Sequence, residues 1–384
     1  MKRMFLLLVV IGLVLSGCGK TTPPTATPVP PKPPIKVGIM GPLTGDSATF
    51  GEGNRDGALI AIEEWNAKGG PGGHKIEYVL ADSMCEGKGG ADAAKKLIDE
   101  DKVQFIIGGV CSSETIPETE YAGPKKVIGI SGTATNPKVT VDETGKTKPY
   151  SFRACFIDPF QGTVMANFAL NNLKAKTASV VLDQGNDYVK GLAEFFKASF
   201  EKGGGTVKVF EAYSKDDTDF SAILAKVKDA NTDVFFIPDY YAKVSLIGAQ
   251  AKQKGITSVF LGGDGWDSPN LDKAAVDGGY FSNHYFSGDT RQIVVDWVKK
   301  FQAKYNKVPD ALATLGYDAA NLLFAAIDKA PSTDPDAVVT SLEQISFEAV
   351  SGKVTFDASH NPVKSAVVLQ VKGGEVSYAA TVNP

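Results

Sequence analysis

Short apolar segments alternate with amphipathic ones from Ile35 onward. The segment "IKVGIM" is typical of a buried strand, and "GNRDGALIAIEEWNAKGG" follows it with apolar residues at helical spacing. These residues are Ala58, Ala61, Ile62 and Trp65. Strands are also predicted at "KIEYVLAD", "VQFIIGG" and "VIGIS", with helices at "ADAAKKLIDED" and "SSETIPETEYAG". Alternation of strand and helix predicts a parallel sheet that is covered by helices on both faces.

The same alternation begins again after Tyr150. Strands are predicted at "ASVVLD", "TVKVFEAYS", "DVFFIP" and "SVFLGG", with helices at "DYVKGLAEFFKASFEKGGG", "DFSAILAKVKDAN" and "AKVSLIGAQAKQKG". The two halves share this pattern but show no repeat in their sequences. Two such series predict two α/β lobes, each with its own parallel sheet.

The C-terminal third has a different pattern. Two long helices are predicted at "RQIVVDWVKKFQAKY" and "ALATLGYDAANLLFAAIDKA". Strands follow at "GKVTFD" and "SAVVLQVKGGEVSYAATV", the second of which suits a hairpin about Gly373-Gly374. The pattern alone allows either a third domain or a chain that crosses back to complete both lobes.

The N-terminus has the features of a secretory signal peptide, expected at residues 1–17. Lys2 and Arg3 precede an apolar run, Met4–Leu15, which is shorter than the roughly 20 residues of a membrane-spanning helix. The stretch "LSGC", which ends at Cys18, resembles the lipobox of bacterial lipoproteins. In those proteins the signal is cleaved before the cysteine, which then carries lipid. The alternative is an ordinary signal peptide with a chance cysteine.

A proline-rich stretch, Thr21–Pro34, separates Cys18 from the first predicted strand. It contains seven prolines and almost nothing apolar, so it predicts an extended, semi-rigid tether or a plain disordered tail. Residues 18–34 are therefore expected to be a lipidated cysteine with a spacer. The globular part would then lie outside the cytoplasmic membrane, anchored to it through Cys18.

Charge and composition exclude some partners. The formal net charge of −4 becomes −6 when Lys2 and Arg3 are removed, and the chain has no basic run, which argues against nucleic acid. No second stretch is apolar and long enough to span a membrane. The 43% of hydrophobic residues is sufficient for a large core, and no cofactor is expected.

Cysteines and histidines give little sign of a metal site. Besides Cys18, the chain has three cysteines: Cys85, Cys111 and Cys155. In an exported protein this odd number predicts one disulfide and one free thiol. The histidines are His74, His284 and His360. They lack metal-ligand spacing, so each is interpreted as a surface or packed residue, and no metal is expected.

The loops after the predicted strands suggest a ligand site, because ligands of open parallel sheets bind at the carboxyl ends of the strands. "CSS" at Ser112 and Ser113 opens a helix, where free N–H groups favour an anion, and "GTAT" adds hydroxyl groups. Across the gap, Asp264 could neutralise an ammonium group, with Tyr188 or Tyr240 as a wall. The arrangement suits the zwitterion of an amino acid. The alternatives are helix capping for the serines, a turn position for Asp264 and surface packing for the tyrosines.

Several of these stretches together resemble the periplasmic branched-chain amino-acid-binding proteins of ABC importers. They are "GPLTG", "FGEGNRDGALIAIEEWNAKGG", "GVCSSET", "GTATNP", "FRACFIDPFQG" and "LGGDGWDS", in this order over nearly the whole mature chain. The resemblance implies a type I fold, in which two doubly wound α/β lobes are joined by three crossovers and close like a hinge. The expected lobes are 35–151 with 281–351, and 152–280 with 352–384.

The resemblance also implies roles for individual residues. Ser112, Thr133 and Thr135 match positions that hold the ligand carboxylate and share in binding the ammonium. Asp264 matches an acid that binds the ammonium, and Tyr240 a tyrosine beside it. The residues that match aromatic positions of the cleft are Phe50 and Tyr188, and those that match a disulfide pair are Cys85 and Cys111. Asp264 is one methylene shorter than the glutamate of well-known members, Phe50 stands where the family can carry tryptophan, and Thr133 replaces an alanine.

The resulting expectation is a lipid-anchored binding protein, a monomer, that captures a small branched-chain or related neutral amino acid between its lobes and delivers it to an ABC permease. An enzyme is disfavoured, because "GISGT" departs from G-x-S-x-G at Thr133 and no histidine lies in a candidate cleft loop. The sequence is also compatible with a sensor subunit that signals its closed state, and with a binder of a short amide or other small acid.

Overall fold

The computed structural model describes residues 32–383. The signal peptide, Cys18 and most of the predicted tether lie outside the described residues. Within 32–383 the ten α-helices are α1 (Ala48–Ala67), α2 (Gly87–Lys95), α3 (Ser112–Ala122), α4 (Asp158–Asn171), α5 (Asp187–Lys202), α6 (Ser221–Ala230), α7 (Tyr241–Gln253), α8 (Gln292–Tyr305), α9 (Ala311–Lys329) and α10 (Pro335–Glu343). Strands and helices alternate as the sequence predicts, in two α/β lobes.

Five parallel strands form the first sheet. They are β1 (Ile35–Gly41), β2 (Ile76–Asp82), β3 (Phe105–Ile107), β4 (Ile128–Ser131) and β5 (Ser151–Arg153). Their spatial order is β2-β1-β3-β4-β5, and β1 lies in register with β3 from Val37 opposite Phe105. The inner strands β3 and β4 are buried along their whole length, as expected for a sheet with helices on both faces.

Helices α1 and α9 pack closely against each other beside the first sheet. A Cβ atom at Gly57 of α1 would lie 1.9 Å from the carbonyl oxygen of Ala313, and one at Gly316 of α9 would lie 2.4 Å from that of Asn54. Glycine on both helices therefore allows the backbones to approach each other. This contact ties the C-terminal third of the chain to the first lobe.

Seven strands form the second sheet. They are β6 (Thr177–Asp183), β7 (Thr206–Tyr213), β8 (Val234–Phe236), β9 (Val259–Gly262), β10 (Tyr280–Asn283), β13 (Ala366–Lys372) and β14 (Glu375–Val382). Their order is β14-β13-β10-β9-β8-β6-β7. Strands β6 to β10 are parallel, whereas β13 and β14 form the predicted antiparallel hairpin about Gly373-Gly374.

The chain passes between the lobes three times. It leaves β5 for α4, leaves β10 for α8, and enters β13 after a small two-stranded sheet of β11 (Phe347–Ala349) and β12 (Gly352–Val354). β5 ends at Arg153 and α4 begins at Asp158, and β10 ends at Asn283 and α8 begins at Gln292. Val354 of β12 packs in the core of the first lobe, and Ala366 begins β13 in the second sheet. The C-terminal third thus contributes to both lobes and is not a third domain.

Between residues 32 and 383, no helix combines the length and the apolar character that a membrane span requires.

Candidate ligand-binding cleft

A small cavity lies between the two lobes, at the carboxyl ends of their strands. Six of the seven residues predicted to bind ligand line it: Phe50, Ser112, Thr133, Tyr188, Tyr240 and Asp264. Its volume is about 20 Å³, which is close to the space of a single water molecule. A ligand of amino-acid size therefore requires the lobes to move apart or the lining side chains to move.

The first lobe contributes hydroxyl groups at the start of α3. Cys111, not Ser112, is the N-cap residue of this helix, so the capping alternative for Ser112 is wrong. The Ser112 hydroxyl instead accepts a hydrogen bond from the Asn136 amide (3.2 Å), and Thr133 donates to the Val110 carbonyl (2.9 Å). The two polar loops "CSS" and "GTAT" thus hold each other at the cavity.

Thr135 lies beside the cavity, not in its lining. Its carbonyl oxygen accepts from the amide of Asp158 at the start of α4, and its buried hydroxyl has no hydrogen-bond partner among residues 32–383. The loop around it is held by Arg153, which is fully buried and donates to the carbonyls of Ala134 (2.7 Å) and Asn136 (2.8 Å). This arginine fixes the backbone between Thr133 and the first crossing.

A disulfide fixes the other polar loop. Cys85 and Cys111 are bonded, with their Cα atoms 5.4 Å apart, and Cys155 is free and buried, as the sequence analysis expected. Beside the disulfide, the fully buried Glu114 accepts from the amides of Val110 (2.6 Å) and Cys111 (3.1 Å). Burial raises the pKa of Glu114 to about 7, although hydrogen bonds from Ser83 and the backbone oppose the shift.

The second lobe contributes a carboxylate to the cavity. Asp264 follows β9 and is 8% exposed, and three side chains converge on it. Its Oδ1 accepts from Gln161 Nε2 (2.7 Å) and from the Tyr188 hydroxyl (2.9 Å), and its Oδ2 lies 2.9 Å from His284 Nε2. A Cβ atom at Gly263 would lie 2.5 Å from the Tyr188 hydroxyl, so the tyrosine reaches the carboxylate only because this position is glycine.

The donors around Asp264 are neutral. Burial lowers the pKa of the His284 ring, against the opposing effect of Asp264, and burial raises the pKa of Tyr188 well above its usual value. Within the described part of the chain, no lysine or arginine pairs with Asp264. The carboxyl group of Asp264 is thus hydrogen-bonded by neutral side chains and not paired with a cationic one, an arrangement that suits a cationic ligand group.

Aromatic side chains from both lobes meet at the cavity. Tyr188 and Tyr240 stack in parallel, with ring centroids 5.3 Å apart and planes 2° apart. Phe50 on α1 of the first lobe meets Tyr240 edge-on at 5.4 Å and Tyr241 at 5.1 Å. These rings form an apolar wall next to the charged and hydroxyl groups.

Hydrogen bonds also cross the cleft outside the cavity. The Asp187 amide at the start of α5 donates to the Ser113 hydroxyl (3.1 Å), and the Asp187 carbonyl accepts from Asn136 Nδ2 (2.9 Å). At the cleft mouth, Lys215 of the second lobe forms an ion pair with Glu86 of the first. Separation of the lobes at this side would break these contacts.

Sequence reasoning missed two residues of the site. Gln161 lies on α4, which the pattern did not reveal. His284, which the sequence analysis interprets as a surface or packed residue outside the candidate cleft loops, is buried and contacts Asp264 directly. An Asp–His pair alone makes no hydrolytic triad, because His284 Nδ1 has no hydrogen-bond partner among the described residues.

Comparison with known proteins places the chain among solute-binding proteins. A family model described as "Periplasmic binding protein" matches residues 34–375. The chain is also 33% identical, over 84% of its length and 86% of the relative, to a leucine-, isoleucine-, valine-, threonine- and alanine-binding protein of Pseudomonas aeruginosa. This chain belongs to the Leu/Ile/Val-type periplasmic binding protein family.

Solved structures of this family have the same fold. The leucine-binding protein LivK from Thermotoga maritima is 37% identical, with a TM-score of 0.86 over 91% of this chain and 99% of that one. The branched-chain amino acid transporter substrate-binding protein LivJ from Streptococcus pneumoniae, solved with isoleucine, is 30% identical, with a TM-score of 0.84 over 91% of this chain and all of that one. The fold is thus that of type I periplasmic binding proteins, a family of solute-binding proteins with an extracytoplasmic location.

Proposed function

We propose that this chain is a lipid-anchored binding protein that captures a small neutral amino acid in the interlobe cleft and delivers it to an ABC permease. The ligand carboxylate binds Ser112 and Thr133, assisted by Thr135, and its ammonium group binds Asp264. Phe50, Tyr188 and Tyr240 surround the rest of the ligand. The two lobes that close on the ligand are those expected in the sequence analysis, except that the third crossing lies after Val354. No catalytic step and no cofactor enter this proposal.

One observation carries the proposal. Asp264 is buried among neutral donors, and it shares one cavity with the Ser112 and Thr133 hydroxyls. A ligand with a carboxylate alone would place a second negative charge near Asp264, and like charges repel strongly where water is excluded. A zwitterion supplies an ammonium group for Asp264 and a carboxylate for the hydroxyls. An aromatic acid or a simple amide supplies only part of this match.

Capture requires the lobes to open. The cavity of about 20 Å³ is too small for an amino acid, and the contacts of Asp187 with Ser113 and Asn136 cross the cleft. Opening breaks these contacts while the three crossings act as the hinge. Closure on a ligand re-forms them and removes the ligand from water. The permease or, if the chain is a sensor subunit, a signalling receptor would recognise the closed form.

A thermal-shift screen tests the ligand class. The mature protein is mixed with each of the twenty amino acids, with their amides, and with benzoate as an aromatic acid. A ligand at 100 times its dissociation constant stabilises the protein by about 2.7 kcal/mol, which is easily seen as a rise in melting temperature. We expect small apolar amino acids to give the largest rise. Stabilisation by an amide or by benzoate, with none by any amino acid, would contradict the proposal.

A further inference from the structure

His284 occupies a connecting position between the ligand site and a crossing. It directly follows β10, where the chain leaves the second sheet for the first lobe, and its side chain is fully buried. Its ring stacks on Phe156 of the first crossing, with centroids 3.8 Å apart. Its Nε2 lies 2.9 Å from Oδ2 of Asp264. One side chain therefore contacts the ammonium-binding acid and a segment that joins the lobes.

The surroundings of the ring determine its tautomer. Oδ2 of a carboxylate is an acceptor, so Nε2 must carry the hydrogen of this contact. Nδ1 is buried and meets no partner among residues 32–383, so a hydrogen there would be an unsatisfied buried donor. Both facts favour the neutral ring with its hydrogen on Nε2. Phe156, which covers the ring, offers no charge to stabilise an imidazolium.

The neutral state matters for the ligand. A carboxylate has about four acceptor positions, and three are used: two on Oδ1, by Gln161 and Tyr188, and one on Oδ2, by His284. The remaining acceptor position is on Oδ2, beside the hydrogen bond from His284 Nε2. A lysine, an arginine or a charged histidine at this place would neutralise Asp264 and compete with the ligand ammonium. A neutral donor holds the carboxylate in place and leaves its charge for the ligand.

Resting on the proposed function, we infer that His284 is a positioning residue that orients Asp264 and makes the cleft selective for ligands with an amino group. Its hydrogen bond fixes the carboxylate in advance, so that binding an ammonium group needs little rearrangement. A ligand without the amino group makes no hydrogen bond to this carboxylate, and its own negative charge is repelled by Asp264 whether or not His284 is present. Loss of His284 therefore weakens binding of the amino acid but not of its des-amino analogue.

The chain offers a matched control in its other buried histidine. His360 stacks on Phe152 at 3.9 Å, much as His284 stacks on Phe156, but its ring nitrogens face Ser151 and Glu343. His360→Leu removes a similar buried aromatic contact without touching Asp264. It thus separates a general loss of packing from a loss of Asp264 positioning.

Calorimetric titration with leucine and with 4-methylpentanoate, which is leucine without its amino group, tests the inference. We expect His284→Leu to weaken leucine binding about 10-fold or more, as for loss of a hydrogen bond to a charged group, with little change for 4-methylpentanoate. His284→Gln, which keeps an N–H donor, and His360→Leu should stay within about 3-fold of wild type. If His284→Leu weakens binding of both ligands equally, or otherwise leaves the ratio of their two dissociation constants as in wild type, the inference is overturned.

A second measurement determines the tautomer of His284 in the wild-type chain. This chain has three histidines, so nitrogen NMR of histidine-labelled protein gives few signals, and those missing from the His284→Gln spectrum belong to His284. We expect His284 at pH 7 to be neutral with its hydrogen on Nε2. A charged ring, or a hydrogen on Nδ1, would overturn this inference but not the proposed function. A wild type that binds no amino acid would overturn the proposed function, and this inference with it.

Discussion

At the scale of single residues, the first lobe contains carboxyl groups with no exposure to water. Glu118 on α3 is fully buried, and neither of its carboxyl oxygens has a hydrogen-bond partner among residues 32–383. Burial raises its pKa to about 8, opposed by the charge of Lys148. In the second lobe, burial likewise raises the pKa of Asp158, at the start of α4, to about 8. The native protein therefore binds protons at neutral pH that the unfolded chain releases.

This proton binding predicts that stability falls as pH rises. A raised folded-state pKa contributes stability that is present below the unfolded value, near 4.5 for Glu118, and is lost as pH approaches about 8. We expect the free energy of unfolding in urea to decrease from pH 5 to pH 9, and Glu118→Gln to reduce that decrease. Glu120→Gln, at an exposed position two residues away, is the control. A Glu118→Gln variant with the wild-type pH dependence would refute the assignment.

The sequence predicted the polar and aromatic residues that line the cavity better than the residues that hold Asp264 in place. Ser112, Thr133 and Asp264 follow strands, and the sheet rule with the family resemblance brought them together. Gln161 and His284 contact Asp264 but do not line the cavity. Neither residue lies in a loop whose composition signals a ligand. His284 is 20 positions from Asp264 in the chain and Gln161 is 103 positions from it, so only tertiary packing brings them into contact.

At the scale of elements, the start of α3 depends on the disulfide. Cys111 is the N-cap of α3, Ser112 follows it, and the partner Cys85 lies in the loop after β2. Closing a loop of this length stabilises the folded state by about 3 kcal/mol in the chain-entropy model. The bond therefore supports both the fold and the position of the Ser112 hydroxyl.

Replacement of both cysteines tests this role. We expect Cys85→Ser with Cys111→Ser to lower the melting temperature and also to weaken amino-acid binding, because the start of α3 becomes less ordered. Replacing the free Cys155 by alanine is the control, since this buried thiol makes no covalent link. Calorimetry in the absence and presence of ligand measures both effects. Unchanged affinity in the double variant would show that α3 holds Ser112 without the disulfide.

Helix α4 shows why one element escaped the sequence pattern. Its buried residues lie on several faces, because it packs against α5 and also against β10 and β13. A helix buried on several sides has no single apolar stripe, so periodicity does not reveal it. The C-terminal third was ambiguous for a related reason. Its helices and strands are regular, but only tertiary packing assigns α9 to the first lobe and β13 to the second.

At the scale of the whole molecule, anchoring remains a prediction from the N-terminal sequence. Cys18→Ser, expressed in a host that exports lipoproteins, should move the protein from the membrane fraction to the soluble fraction, because acyl chains provide the membrane affinity. Fractionation and immunoblotting measure the distribution. Replacement of Ser16 by alanine, which keeps the cysteine, is the control. A Cys18→Ser variant that stays with the membrane would contradict the lipobox interpretation.

In the proposed function, closure of the lobes brings Asp264 and the hydroxyl groups of the first lobe together around the ligand, so the account depends most on Asp264. Asp267, three residues on, is a poor control for it, because its carboxylate accepts from Asn283 (2.8 Å) and from the Ala311 amide of the first lobe (2.8 Å). Its loss would disturb the contact between the lobes. The exposed Asp216, which lines the wider mouth of the cleft, is the better control.

Calorimetric titration of Asp264→Ala with the amino acid that binds wild type most tightly is the most direct test. Removing one member of a buried charge pair costs about 2–5 kcal/mol, so affinity should fall roughly 30-fold or more. Asp216→Ala should bind like wild type, and both variants should remain folded. If Asp264→Ala binds the amino acid as tightly as wild type, Asp264 does not hold the ammonium group and the account of the cleft is wrong.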